Sequence, residues 1–167
     1  MNSTTRAITL LRGLSRVLNQ GTELLLLCLG LCMVLVIGLQ VFFRYVLNDS
    51  LGWSEELGRA LLVWLTFFGA GAACKRKGHI GVDFFVRRLA PAPRRVTAAL
   101  ALLVSICFFL IMIVYGLEFS WFIRHQATTI LELPKWLLFL AVPASGLLMF
   151  FHSLVFLIDL FKPEPEK

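Results

Sequence analysis

Charge is scarce in this 167-residue chain. Only 16% of its residues are charged and 59% are apolar, whereas a soluble domain carries roughly 25% charged and 45 to 50% apolar residues. Four long stretches lack Asp, Glu, Lys and Arg altogether: Leu24 to Phe43, Ala60 to Cys74, Val96 to Leu117 and Trp136 to Ile158. A soluble globular fold is thereby excluded. Histidine is limited to three residues; His79 and His125 fall between the apolar stretches, which leaves no facing pair for a bilayer haem. Cysteine is limited to four residues, of which Cys28, Cys32 and Cys107 lie within apolar stretches and Cys74 at the edge of one, so no structural disulfide is expected. The chain also lacks an H-E-x-x-H pair, a Ser/His/Asp spacing and a Gly-rich phosphate loop. No cofactor and no metal is implied, and an enzyme is not indicated. Nor is there an internal repeat of the kind that builds inverted-repeat transporters.

What is present is an all-α integral membrane protein with four transmembrane helices. A bilayer core of about 30 Å needs about 20 helical residues, which places spans at 22–43, 54–74, 96–117 and 136–158. The second is short, and it crosses only if its first turn, Ser54 to Arg59, sits in the headgroup region. The net charge of +6 is a topology signal rather than a mark of nucleic-acid binding. Twelve of the sixteen cations lie before the first span, in the loop 75–95 or in the tail 159–167, against Arg44, Arg59, Arg124 and Lys135 on the opposite side. By the positive-inside rule both termini and the middle loop face the cytoplasm. A cleaved signal peptide does not fit residues 1–43, because the apolar run exceeds the 7 to 15 residues of a signal and no small-x-small site follows it.

Two amphipathic segments flank these spans. Residues 5–19 space Ile8, Leu11, Leu14 and Leu18 helically, with Arg6, Arg12 and Arg16 between them, which predicts an interfacial helix whose cations meet lipid phosphates. The loop KRKGHIGVDFFVRRLAPAPRR predicts a second one, with Ile80, Phe84, Phe85 and Leu89 on one face. His79 and Asp83 stand four apart there, a spacing that predicts a loop-ordering contact rather than a metal site, since no third ligand is near in the sequence. In the second span, Gly69 and Ala73 form a small-xxx-small pair that admits a close helix neighbour. Pro143 predicts a kink in the fourth, since it removes one backbone hydrogen bond.

The stretch LGWSEELGRA opens the second span with charge. If Ser54 caps the helix, Glu55 and Glu56 meet the positive end of the helix dipole. Arg59 then lies four residues after Glu55 and three after Glu56, within pairing reach of both. Arg44 offers a second partner from the first helix, and Trp53 an interfacial anchor. The group reads as a clamp between the first two helices or as a docking point for another chain. Glu55→Gln or Arg59→Ala is expected to impair assembly or docking more than substrate choice.

Taken in order, FRYVLNDSLGWSEELGRALLVWLTFFGA, GHIGVDFFVRRL and LPKWLLFLAVPASG resemble the small membrane subunit of tripartite ATP-independent periplasmic (TRAP) transporters, the DctQ-like family. The likeness extends over roughly residues 20–160. It rests on the Arg-Tyr after the first helix, Trp-Ser-Glu-Glu with Arg59, His-Ile-x-Val-Asp, and Pro-x-Trp before the fourth helix. The resemblance implies a non-catalytic scaffold in a bacterial inner membrane. Its implied partners are a large DctM-like permease subunit and a DctP-like periplasmic substrate-binding protein, in sodium-coupled uptake of an organic acid. The scarcity of midplane charge agrees with a scaffold, because a carrier keeps costly polar groups there. Two alternatives stand beside it: a self-sufficient, homo-oligomeric, proton-coupled transporter using Glu23 or His152, and a membrane-embedded redox or lipid-modifying enzyme.

Overall fold

The computed structural model describes residues 3–76 and 91–160. Five helices account for nearly all of them: α1 (Ser3–Val46), α2 (Gly52–Lys75), α3 (Pro91–Phe122), α4 (Lys135–Phe139) and α5 (Ala141–Leu160). Four segments are long and apolar enough to cross a membrane, namely Leu10–Val46, Gly52–Lys75, Val96–Phe122 and Lys135–Leu160. Each contains one of the four charge-free stretches of the sequence, and no strand occurs among the described residues.

Residues 5–19 do not form a separate helix. They are the first third of α1, which runs unbroken for 44 residues, about 66 Å at 1.5 Å per residue. The physical reason is continuity of hydrogen bonding: no proline interrupts Ser3–Val46, and the polar junction is itself helix-compatible. Asn19 reaches Glu23 at 2.8 Å, and the Thr22 hydroxyl donates to the Leu18 carbonyl at 2.9 Å. The amphipathic pattern is also used differently from the prediction. Ser15 and Thr22 are buried against the other helices, whereas Leu10, Leu14, Val17 and Leu18 point outward. The expected interfacial helix of the middle loop, with His79 and Asp83, lies outside the described residues. The Pro-Ala-Pro motif opens α3 at Pro91, where the ring's fixed φ suits a first helical turn.

In space the order is α1, α2, α5, α3, each packed on the next, with α4 braced against α3 and α5. Buried Cys74 of α2, Phe109 of α3 and Met149 of α5 form the centre of the core, flanked by Met112 and Phe150. Tight approach is set by three glycines. A Cβ on Gly116 would stand 3.0 Å from the Pro143 ring; one on Gly146 would be 3.3 Å from Met112 and Ile113; one on Gly71 would be 2.8 Å from Leu148. The small pair singled out in the sequence is placed otherwise: nothing lies within 4 Å of a Cβ on Gly69, and Ala73 is exposed. No helix among the described residues uses that face. Pro143 has no N–H to offer the Phe139 carbonyl, and the helix is interrupted just there, α4 ending at Phe139 and α5 starting at Ala141.

Candidate functional site

Polar side chains gather at the two ends of the helices. At the end carrying the α1–α2 turn, α2 begins at Gly52, with Leu51 as its N-cap and no side-chain cap. Ser54 is therefore not the cap. It lies fully buried in the first turn, where its hydroxyl donates to the Leu51 carbonyl at 2.6 Å. Glu55 and Glu56 are carried one turn deeper into the helix than expected, and they diverge.

Glu56 faces the connection 123–134 between α3 and α4. Its Oε1 accepts the backbone N–H groups of Thr129 (2.9 Å) and Ile130 (3.1 Å), and its Oε2 accepts that of Leu131 (2.9 Å). The connection is closed on itself as well. Thr128 N–H donates to the Leu133 carbonyl at 2.8 Å, Leu133 N–H to the Thr128 hydroxyl at 3.1 Å, and Lys135 N–H to the Gln126 carbonyl at 2.9 Å. An isolated antiparallel bridge joins Ala127 to Pro134. Glu132 takes the left-handed conformation at φ 52° that turns the chain back. Charge-assisted bonds to a carboxylate are roughly twice as strong as neutral ones, so Glu56 is the organiser of this connection.

The other members of the predicted cluster do not converge on it. Glu55 meets Gln40 of α1 at 3.5 Å. Arg59 turns back to the Glu55 carbonyl at 3.3 Å and makes no ion pair with either glutamate. Arg44 stands 6.0 Å from the Tyr45 ring centre and pairs with no acid among the described residues, and Trp53 is half-buried beside the buried Ser54. The local spacing rule named Arg59 as the partner; three convergent backbone donors on a distant loop win over one exposed, well-hydrated cation.

The opposite end, where the sequence singled out only Glu23 and His152, holds a denser arrangement. Ser15 of α1 and His152 of α5 are both fully buried, with the Ser15 hydroxyl 2.9 Å from His152 Nδ1. Lys75 at the end of α2 donates to the same hydroxyl and lies 5.5 Å from the Phe156 ring centre. With the hydroxyl accepting from the ammonium, its own proton goes to Nδ1, which places the ring proton on Nε2. Nε2 of His152 and Oδ1 of Asn19 are buried without a hydrogen-bond partner. Two ion pairs flank this junction: Arg12 holds Asp159 through Nη2 at 2.7 Å and Nε at 3.0 Å, and Arg76 holds Glu23 at 2.8 Å. Only His152 and Glu23 carried a signal in the sequence, as ionisable groups near span ends. Ser15, Lys75 and Asp159 carried none, because their partners lie on other helices.

Among the described residues, neither end presents a nucleophile beside a base at an open cleft. Both tie one helix to the next. Comparison with known proteins gives this arrangement a context. Residues 33–162 match the family described as tripartite ATP-independent periplasmic transporters, DctQ component. The chain is 36% identical over 107 residues to the C4-dicarboxylate TRAP transporter small permease protein DctQ of Rhodobacter capsulatus, covering 63% of this chain and 47% of that protein. It is 28% identical over 159 residues to the sialic acid TRAP transporter small permease protein SiaQ of Vibrio cholerae, covering 91% and 88%. It is also 28% identical over 114 residues to the sialic acid TRAP transporter permease protein SiaT of Haemophilus influenzae, 68% of this chain but only 18% of that longer one. The match thus spans about half of the first relative and most of the second. A chain with these four spans and a family match over more than three quarters of its length belongs to the DctQ component family of tripartite ATP-independent periplasmic transporters.

Proposed function

We propose that this chain is the fixed scaffold of a TRAP-type transporter, holding a large permease subunit in a bacterial inner membrane with both termini cytoplasmic. It takes no part in the transport chemistry. The observation that carries this reading is where its ionisable groups are spent. Glu23, the one acid of α1, is occupied by Arg76 and Asn19, and His152 is sealed beneath Ser15. Proton- or ion-coupled carriers keep such groups accessible near the midplane. The relative SiaT, in which a segment like this chain is a small part of a longer permease, supports a large permease as the partner. Relatives named for C4-dicarboxylate and for sialic acid support an organic acid as the solute, delivered by a periplasmic binding protein. Sodium is the coupling ion that the family resemblance implies.

The test is purification from native membranes. The chain is expected to come away with a much larger membrane partner, and to be inert when reconstituted alone. Solute flux by the chain alone, abolished in Glu23→Gln with assembly intact, would establish the self-sufficient proton-coupled carrier instead.

A further inference from the structure

Near the C-terminal end of α3 a surface crevice is lined by Tyr115, Glu118, Phe119 and Phe122, which recur at i, i+3, i+4 and i+7 and so share one stripe of the helix. Trp121, Arg124 and His125 complete it. Glu118 is exposed and stands four residues before the last of α3, where the helix dipole disfavours an acid and favours a cation brought to it. Arg124 is held in place without being neutralised. Its Nη1 donates to the Trp121 carbonyl at 3.1 Å, and its guanidinium carbon lies 4.3 Å from the centre of the Trp121 ring, a stacking that fixes a cation and leaves its charge. Neither Glu118 nor Arg124 forms an ion pair with a described residue.

Toward the middle of α3 the same stripe is apolar. Phe108, Ile111 and Val114 continue it and are exposed. From Phe108 to Glu118 is ten residues, about 15 Å of helix, which is one leaflet of a bilayer core about 30 Å thick. Charge of both signs stands at one depth among interfacial aromatic rings, with a leaflet's length of apolar surface leading away from it. That division is a lipid's; a polypeptide neighbour carries no such fixed one.

We propose that this crevice binds a single zwitterionic phospholipid whose headgroup ends in a primary ammonium, of the phosphatidylethanolamine type. The ammonium donates to the Glu118 carboxylate, the phosphate accepts from Arg124, and the tails run along Ile111 and Phe108. A primary ammonium offers three N–H donors; a choline headgroup has none, and a glycerol headgroup brings no cation to Glu118. The site needs only that α3 spans a bilayer, so it stands apart from the scaffold reading.

The chain, with whatever subunits leave native membranes with it, is placed in nanodiscs of equal parts phosphatidylethanolamine, phosphatidylcholine and phosphatidylglycerol. Native mass spectrometry then counts the lipids retained. The wild type is expected to keep phosphatidylethanolamine in preference to the other two. Glu118→Gln should cut its preference over phosphatidylcholine by about threefold, the scale of a partly exposed ion pair, and Arg124→Gln should lower retention of all three. Neither substitution removes a contact between helices, so both proteins fold. A wild type without the preference overturns the proposal, as do variants that retain lipid as the wild type does. A photoactivatable benzophenone amino acid in place of Phe122 places the occupant: a phospholipid adduct formed in native membranes supports the site, and a crosslink to another polypeptide in its stead gives this face to a subunit and overturns it.

Discussion

The contact between α3 and α5 turns on Gly116, and replacing it separates two opposing effects. Alanine in a helix interior is favoured over glycine by about 1 kcal/mol. At Gly116 that gain meets a rigid obstacle, since the new Cβ would be 3.0 Å from Pro143 Cδ and 3.3 Å from its backbone nitrogen. A proline ring has no rotamer with which to retreat, so the helices must part, at an overpacking cost of about 1–3 kcal/mol. Gly71 offers the control. There the obstacle, 2.8 Å away, is the terminal Cδ2 of Leu148, a flexible group that can turn aside. Gly116→Ala should therefore lower stability by about 1 kcal/mol net, whereas Gly71→Ala should be neutral or slightly stabilising. For a protein of this size, 1 kcal/mol moves the Tm by about 2–4 °C. Thermal unfolding in one detergent, followed by tryptophan fluorescence, should rank Gly71→Ala at or above wild type and Gly116→Ala below it. The reverse order, or a Gly116→Ala protein as stable as Gly71→Ala, would refute the idea that rigidity of the neighbour decides the sign.

Other outcomes follow from the polar ends. Ser15→Ala strips both His152 Nδ1 and Lys75 of a buried partner and should cost about 1–3 kcal/mol, seen as a lower Tm in the same assay; His152→Phe should recover part of it, because it removes a stranded polar ring. Asp159→Asn breaks a pair whose partners are 48% and 33% exposed, so its effect should stay below about 1 kcal/mol and vanish in high salt. Arg59→Ala, against the expectation from local spacing, should leave association with the large subunit intact, as judged by co-purification. In a cysteine-free background, Thr129→Cys should react with an impermeant maleimide in cells whose outer membrane is permeabilised and whose inner membrane is intact, and Arg16→Cys only after lysis; the opposite pattern would invert the proposed topology.

The spans were legible because the bilayer writes directly on composition: a run without charge is needed whatever the neighbours are. The interruption near Pro143 was legible for a similar reason, being a property of one residue's backbone. Partners were not legible. Glu56 binds amides 73 to 75 residues away, and no rule of local spacing reaches that far. Residues 5–19 misled in a specific way: their periodicity is the same for a separate helix and for the first turns of a longer one, so the pattern marks a helix without saying where it ends. Gly69 and Gly71 show the same limit: of the two, among the described residues, only Gly71 meets a neighbouring helix. Two residues along a helix is about 200°, so both sit in the same motif while facing opposite directions.

The order α1, α2, α5, α3 has a consequence for what the molecule can enclose. Among the described residues α1 and α3 stand at the two ends of the series and do not meet, so these helices make a fence rather than a ring. A ring has a lumen, and a solute crossing through it is shielded from lipid on every side; a fence has only two broad sides and no inside. Under the scaffold role proposed above, such a fence would stand beside something that moves and lend it a wall that does not.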